Sequence, residues 1–134
     1  MNEKQLSLFE SGIFLWVFCL VTSASLLFIA SRSSPLYPFN DWADVNTFFT
    51  LGKGMLSGKV LYRDLFDHKG PFLYLIYGVA SLISYKTFLG VYILETLSMT
   101  IFLFLSAKTL MLFLDHKYTL LALPVLAAAI LNLR

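Results

Sequence analysis

Charged residues divide the chain into long apolar runs and one polar loop. From Gly12 to Ala30 no Asp, Glu, Lys or Arg interrupts the sequence, and at about 1.5 Å of rise per residue that run covers roughly 28 Å, close to the hydrocarbon thickness of a bilayer. It predicts a transmembrane helix over 12–30, after a short amino-terminal segment 1–11. Lys4 ahead of an apolar core, with the small residues Ser23, Ala24 and Ser25 behind it, also outlines a secretory signal. The apolar residues run on through Leu26-Leu27-Phe28-Ile29, however, further than a signal core needs.

From Pro71 to Leu114 only Lys86, Glu95 and Lys108 intervene, and this stretch is about twice the length of one crossing. Helices over 71–88 and 90–114 fit it. Their turn falls near Tyr85-Lys86-Thr87 and Gly90, with the Lys86 stem buried and its ammonium among headgroups. A re-entrant segment is the alternative for the first of the pair. Beyond Asp115-His116-Lys117-Tyr118 a fourth apolar run, 119–134, is barely long enough to cross, as expected of a helix that is incomplete or leans on neighbours within a longer protein. The expected fold class is an all-α membrane protein with about four transmembrane helices.

The polar loop is 31–70. It holds four of the eight acids and five of the ten Lys and Arg residues. Pro35 and Pro38 extend the chain after the first helix. The period then changes: Val45, Phe48, Phe49, Gly52, Met55 and Leu56 recur at helical spacing, while Asn46, Thr47, Thr50, Lys53 and Ser57 fall opposite. That pattern predicts an amphipathic helix near 42–57, ended by Gly58 and lying in the membrane interface or against the spans.

Composition agrees with lipid as the main solvent: 58% of residues are hydrophobic and 13% charged, too little polar surface for a soluble globule of this size. The single cysteine, Cys19, falls inside the first run and cannot form an internal disulfide. A formal charge of +2, with no basic run interleaved with aromatics, gives no sign of nucleic-acid binding.

Chemistry concentrates in the loop. Asn40 or Asp41 is placed to cap the amphipathic helix, and Asp44 falls in its first turn, where the macrodipole favours a carboxylate. Further on, Arg63, Asp64, Asp67, His68 and Lys69 crowd together more densely than interfacial anchoring requires. Arg63, His68 and Lys69 can donate to a phosphate, and Asp64 and Asp67 can orient or neutralise them. Glu95, inside the third apolar run, is either a groove residue or a paired interfacial one. His116 reads as a solvated loop histidine.

The stretch Asp44-Val45-Asn46-Thr47-Phe48-Phe49-Thr50-Leu51-Gly52-Lys53-Gly54-Met55-Leu56-Ser57-Gly58-Lys59-Val60-Leu61-Tyr62-Arg63-Asp64-Leu65-Phe66-Asp67-His68-Lys69-Gly70-Pro71 resembles the first external loop of bacterial GT-C-type glycosyltransferases. More narrowly it is similar to the branch acting on cell-surface polysaccharide or teichoic acid, related to protein mannosyltransferases and lipid A aminoarabinose transferases. Tyr62 to Pro71 is its most specific part, and roughly the first 85 residues are covered. Family members are several times longer, so the resemblance is to their amino-terminal portion.

That resemblance implies an inverting transfer from a polyprenyl-phosphate sugar to a glycan hydroxyl on the outer face of a bacterial cytoplasmic membrane. Asp44 would be the catalytic base, with Asp41 the alternative acid. Arg63, His68 and Lys69 would bind the lipid phosphate, supported by Tyr62, Asp64 and Asp67. No cofactor is implied, although a divalent metal stays open. The partners implied are membrane lipid, the donor, a glycan acceptor and the remainder of a longer transferase. The rival reading is a non-catalytic accessory subunit or transporter fragment that binds headgroups with the same basic loop. Counting Lys and Arg alone favours the loop inside; the resemblance places it outside.

Overall fold

The computed structural model describes residues 12–132; the expected segment 1–11 and the last two residues of the expected fourth helix lie outside these. Among the described residues the fold is all-helical, in the order α1 (Gly12–Ala30), α2 (Ala43–Leu56), α3 (Pro71–Ile83), α4 (Leu89–Leu110) and α5 (His116–Asn132). Two of these, α1 and α4, are long and apolar enough to cross a membrane, whereas α3 and α5 are apolar but shorter. The chain divides into two compact units. One contains α1, α4 from Glu95 onward, and α5; the other runs from Ser31 to Leu94.

In the first unit the buried positions repeat every fourth residue. Leu15, Cys19, Ser23 and Leu27 line α1, and Thr119, Leu123 and Ala127 line α5. Leu15, Cys19, Leu123 and Ala127 make one core with Leu103 and Ala107 of α4. A four-residue period places these side chains along a single ridge, and the small members let backbones approach closely. Trp16 stacks on Phe104 at 4.9 Å between ring centroids. The opposite faces stay apolar and uncovered: Ile13, Ile29, Phe113, Leu121 and Val125 are all exposed, more apolar surface than water tolerates on a small monomer.

The second unit is built on the crossing of α2 and α3. Phe49, Ala80 and Val91 form its core, joined by Tyr77, Phe88 and Leu94. Phe48 packs its ring against Tyr74 and Tyr77, at 5.9 and 5.6 Å. Where the helices cross, Gly52 faces Gly78: a side chain on Gly52 would run into the α3 backbone, and one on Gly78 would press closely on the carbonyl of Gly52. α2 ends as the pattern predicts, with Gly58 taking the left-handed conformation (φ 83°) that closes many helices.

Several expectations need correction. The helix expected over 71–88 stops at Ile83: Ser84 turns extended, and its hydroxyl bonds that of Thr87 at 2.6 Å. The 13 residues of α3 rise only about 20 Å. Similarly, the helix expected over 90–114 ends at Leu110, and residues 111–114 form turns.

The start of α2 also differs. Its N-cap residue is Trp42, which makes no side-chain cap, because neither expected cap is free for the task. Asn40 accepts the Trp42 amide at 3.1 Å and donates to Ser33 Oγ at 3.2 Å. Asp41 lies 3.8 Å from Arg32, an exposed pair worth little to stability.

Finally, Lys53 does not face away. Its ammonium sits 4.0 Å from the Phe49 ring centroid and 4.6 Å from that of Tyr85. Burial pushes its pKa down from the ordinary lysine value, and the two ring faces are what the cation receives in place of water. Leu56, expected on the buried stripe, is exposed, while Leu51 and Gly54 are buried. Gly54 is covered by Leu65 of the following loop.

Candidate functional site

After Gly58 the chain folds back on itself through short-range bonds. Asp64 Oδ2 accepts the Val60 amide at 2.8 Å, and the same carboxylate takes both Nε and Nη2 of Arg63 at 2.9 Å. Arg63 holds the Asp64 carboxyl below the usual carboxylate range, and in return its own pKa is raised. One step later Asp67 Oδ1 accepts the His68 amide at 2.7 Å and lies 2.9 Å from His68 Nδ1. That amide is the main cause of the lowered Asp67 pKa. Both acids therefore hold the neighbouring side chain and shape the backbone together.

Tyr62 stands at the centre of this loop with φ of 63°. A bulky side chain in the left-handed region is uncommon and costs on the order of 1 kcal/mol or more, so its bonds matter. Its amide donates to Leu65 O at 2.7 Å and its hydroxyl to Lys69 O at 2.6 Å. From the other side the Lys69 amide donates to Tyr74 Oη at 3.0 Å. Two tyrosine hydroxyls thus fix the Lys69 backbone on both sides. Its side chain is exposed, and its ammonium makes no ion pair or hydrogen bond among the described residues.

Asp44 is exposed in the first turn of α2, and its carboxylate likewise makes no hydrogen bond or ion pair among the described residues. Nothing joins it directly to Arg63, His68 or Lys69. An indirect link exists. Asp44 precedes Phe48 by one helical turn on the same face, Phe48 packs on Tyr74, and the Tyr74 hydroxyl holds the Lys69 amide. The acid and the cation, each without a bond among the described residues, are therefore carried on α2 and on the following loop, which two contacts tie together. Glu95 belongs to the first unit, is half-buried and is not without a partner.

Sequence reasoning missed two features. Tyr74 has no polar signature, since it stands inside an apolar helix, and only its contact with residue 69 shows its part. The other is a cavity of about 470 Å³, lined by residues 33–35 and 37–40, by Asn46 and by residues 86–89. Its walls are far apart in sequence. Lys86 is its one cationic lining residue, and no carboxylate lines it among the described residues. Nor does any group of three or more His, Cys, Asp or Glu gather there or elsewhere among those residues.

Comparison with protein-family models, with characterised proteins and with solved structures finds no match.

Proposed function

We propose that this chain acts in a membrane glycosyltransferase, moving a sugar from a polyprenyl-phosphate donor to a hydroxyl of a cell-envelope glycan on the outer face of the membrane. The observation that carries the reading is the shared scaffold of Asp44 and Lys69, a carboxylate on α2 and an ammonium on the following loop, neither with an ion pair or hydrogen bond among the described residues, the two segments being tied by Phe48 on Tyr74 and by the Tyr74 hydroxyl on the Lys69 amide. Its sequence support is the resemblance of residues 44–71 to the external loop of GT-C-type transferases. α1 and α4 serve as membrane crossings. α5, with 17 residues and a rise of about 26 Å, is a third in a thin or locally thinned bilayer. The loop then lies outside.

The chemistry divides between the two groups. The acceptor hydroxyl oxygen forms a bond to the anomeric carbon as the bond from that carbon to the phosphate oxygen breaks. Asp44 receives the hydroxyl proton, and the lipid phosphate leaves with the bonding electrons. Positive charge builds on the sugar ring and negative charge on the departing oxygen, which Lys69 faces. A single displacement inverts the anomeric centre. Arg63 and His68 remain with Asp64 and Asp67, and so act on the donor through the shape of the loop.

The test is sugar transfer from a labelled polyprenyl-phosphate donor in membranes carrying the longest natural form of the protein at matched abundance. Asp44→Asn lowers transfer by about two to four decades, the usual loss of a general base. Asp41→Asn, which loses only an exposed pair with Arg32, stays near the parent. Near-parental transfer by Asp44→Asn removes Asp44 from the chemistry.

A further inference from the structure

The cavity of the second unit belongs to neither Asp44 nor the Lys69 loop. We propose that it binds the phosphate group of a lipid headgroup, with Lys86 and Ser33 as donors. Its volume of about 470 Å³ is in the range of small-molecule sites and exceeds what a bare phosphate needs. A single positive charge, no facing carboxylate and several neutral polar side chains fit an anion. Phe39 on the lining is 83% exposed, an apolar neighbour suited to the glycerol or acyl end of the same molecule.

The donors are free. Lys86 is exposed and its ammonium makes no hydrogen bond or ion pair among the described residues. Ser33 is buried and its Oγ accepts from Asn40 Nδ2 at 3.2 Å, which leaves the hydroxyl proton of Ser33 to give. Asn40 is itself held through the Trp42 amide, and Asn46 ties down the Asn40 and Trp42 carbonyls at 2.7 and 2.8 Å. The wall carrying Ser33 is therefore built before any ligand arrives.

Membrane placement follows from the same cavity. Residues of 33–40 and 86–89 line one cavity, so both segments must lie at the same face of the membrane. α3 then leaves and returns without crossing, as its rise of about 20 Å also requires. A headgroup site at this face is within reach of lipid phosphates.

The experiment uses the full chain in detergent, in a Trp16→Phe background so that Trp42 alone reports. Dioctanoyl phosphatidic acid, inorganic phosphate and dioctanoylglycerol are titrated against Trp42 fluorescence. A saturable change with phosphatidic acid and none with dioctanoylglycerol is expected. Lys86→Gln weakens binding about tenfold or more, as for loss of a charged hydrogen bond; Ser33→Ala weakens it less, and Lys117→Gln leaves it unchanged. Inorganic phosphate that saturates only at far higher concentration supports a lipid source, while equal potency overturns it in favour of free phosphate. Parental binding by Lys86→Gln, or saturation by dioctanoylglycerol, overturns the site itself. In a Cys19→Ala background, Phe39→Cys and Lys86→Cys should label with an impermeant maleimide from one side of the membrane; labelling from opposite sides also overturns it. None of these outcomes depends on the transferase reading.

Discussion

Gly52 and Gly78 bring the backbones of α2 and α3 into direct contact. A Cβ on Gly52 would lie 2.6 Å from the Tyr74 carbonyl oxygen, and one on Gly78 would lie 3.1 Å from the carbonyl oxygen of Gly52. The first distance is shorter than atoms allow, so any side chain at residue 52 must push the helices apart. Gly52→Leu should lower the stability of the second unit by about 1–3 kcal/mol or more, the usual range for overpacking. Gly12→Ala, which meets open space, is the control. Thermal unfolding in detergent reads both, and equal midpoints would show that the crossing yields without strain.

The orientation of the loop is a separate matter. The transferase reading requires the 31–70 loop to be external, although the distribution of Lys and Arg alone favours the reverse. Ser57, exposed at the end of α2, is a suitable reporter once the buried thiol of Cys19 is removed by Cys19→Ala. Ser57→Cys should react with an impermeant maleimide on intact cells. Labelling only after lysis would place the loop, and Asp44 with it, inside.

Tyr62→Phe deletes one hydroxyl, the donor to the Lys69 carbonyl, and leaves the ring. The loop then loses a hydrogen bond worth about 0.5–1.5 kcal/mol while Tyr62 keeps its left-handed backbone. Proteolysis between Arg63 and Lys69 should rise several-fold by trypsin assay, with α1 and α4 intact. If Lys69 faces the donor phosphate, sugar transfer should fall through a higher KM for the donor. An unchanged KM alongside faster proteolysis would separate loop order from donor binding.

Acid should loosen the same loop, and the sign is fixed by Asp67. Its pKa is lowered in the folded chain, chiefly by the His68 amide, so its contribution is fully present above the ordinary Asp value of about 3.9. It is lost as pH falls through the lowered folded value. Pepsin cleavage beside the exposed Phe66 can follow this. The cleavage-rate ratio of Asp67→Ala to parent should be constant above about pH 4 and approach one below it. A ratio already falling between about pH 6 and 5, roughly one to two units above that value, would mean that another group controls the loop.

How far the sequence carried depended on whether one local rule decided each position. The uncharged run at 12–30 is a helix over Gly12–Ala30 because nothing competes with it. The stripe through Val45, Phe49 and Gly52 is buried on one face of α2, as helical spacing requires. Tertiary partners decided the rest. Lys53 looked solvated until Tyr85 and Phe49 supplied it with ring faces, and α3 looked longer because hydropathy continues where the Ser84 and Thr87 hydroxyls turn the chain. In the candidate site, the crowding at 63–69 was visible, but which basic side chain lacks a partner among the described residues was not. Arg63 and His68 hold adjacent acids, a choice between neighbours that spacing does not resolve.

The two tyrosine hydroxyls beside Lys69 hold only its backbone. Residue 69 is in that sense a socket: the loop fixes where a side chain emerges and is indifferent to which one it is. Arginine, glutamine or a spectroscopic label could be installed there without rebuilding the loop. Charge, reach and probe chemistry at this one point become adjustable variables on an otherwise constant frame.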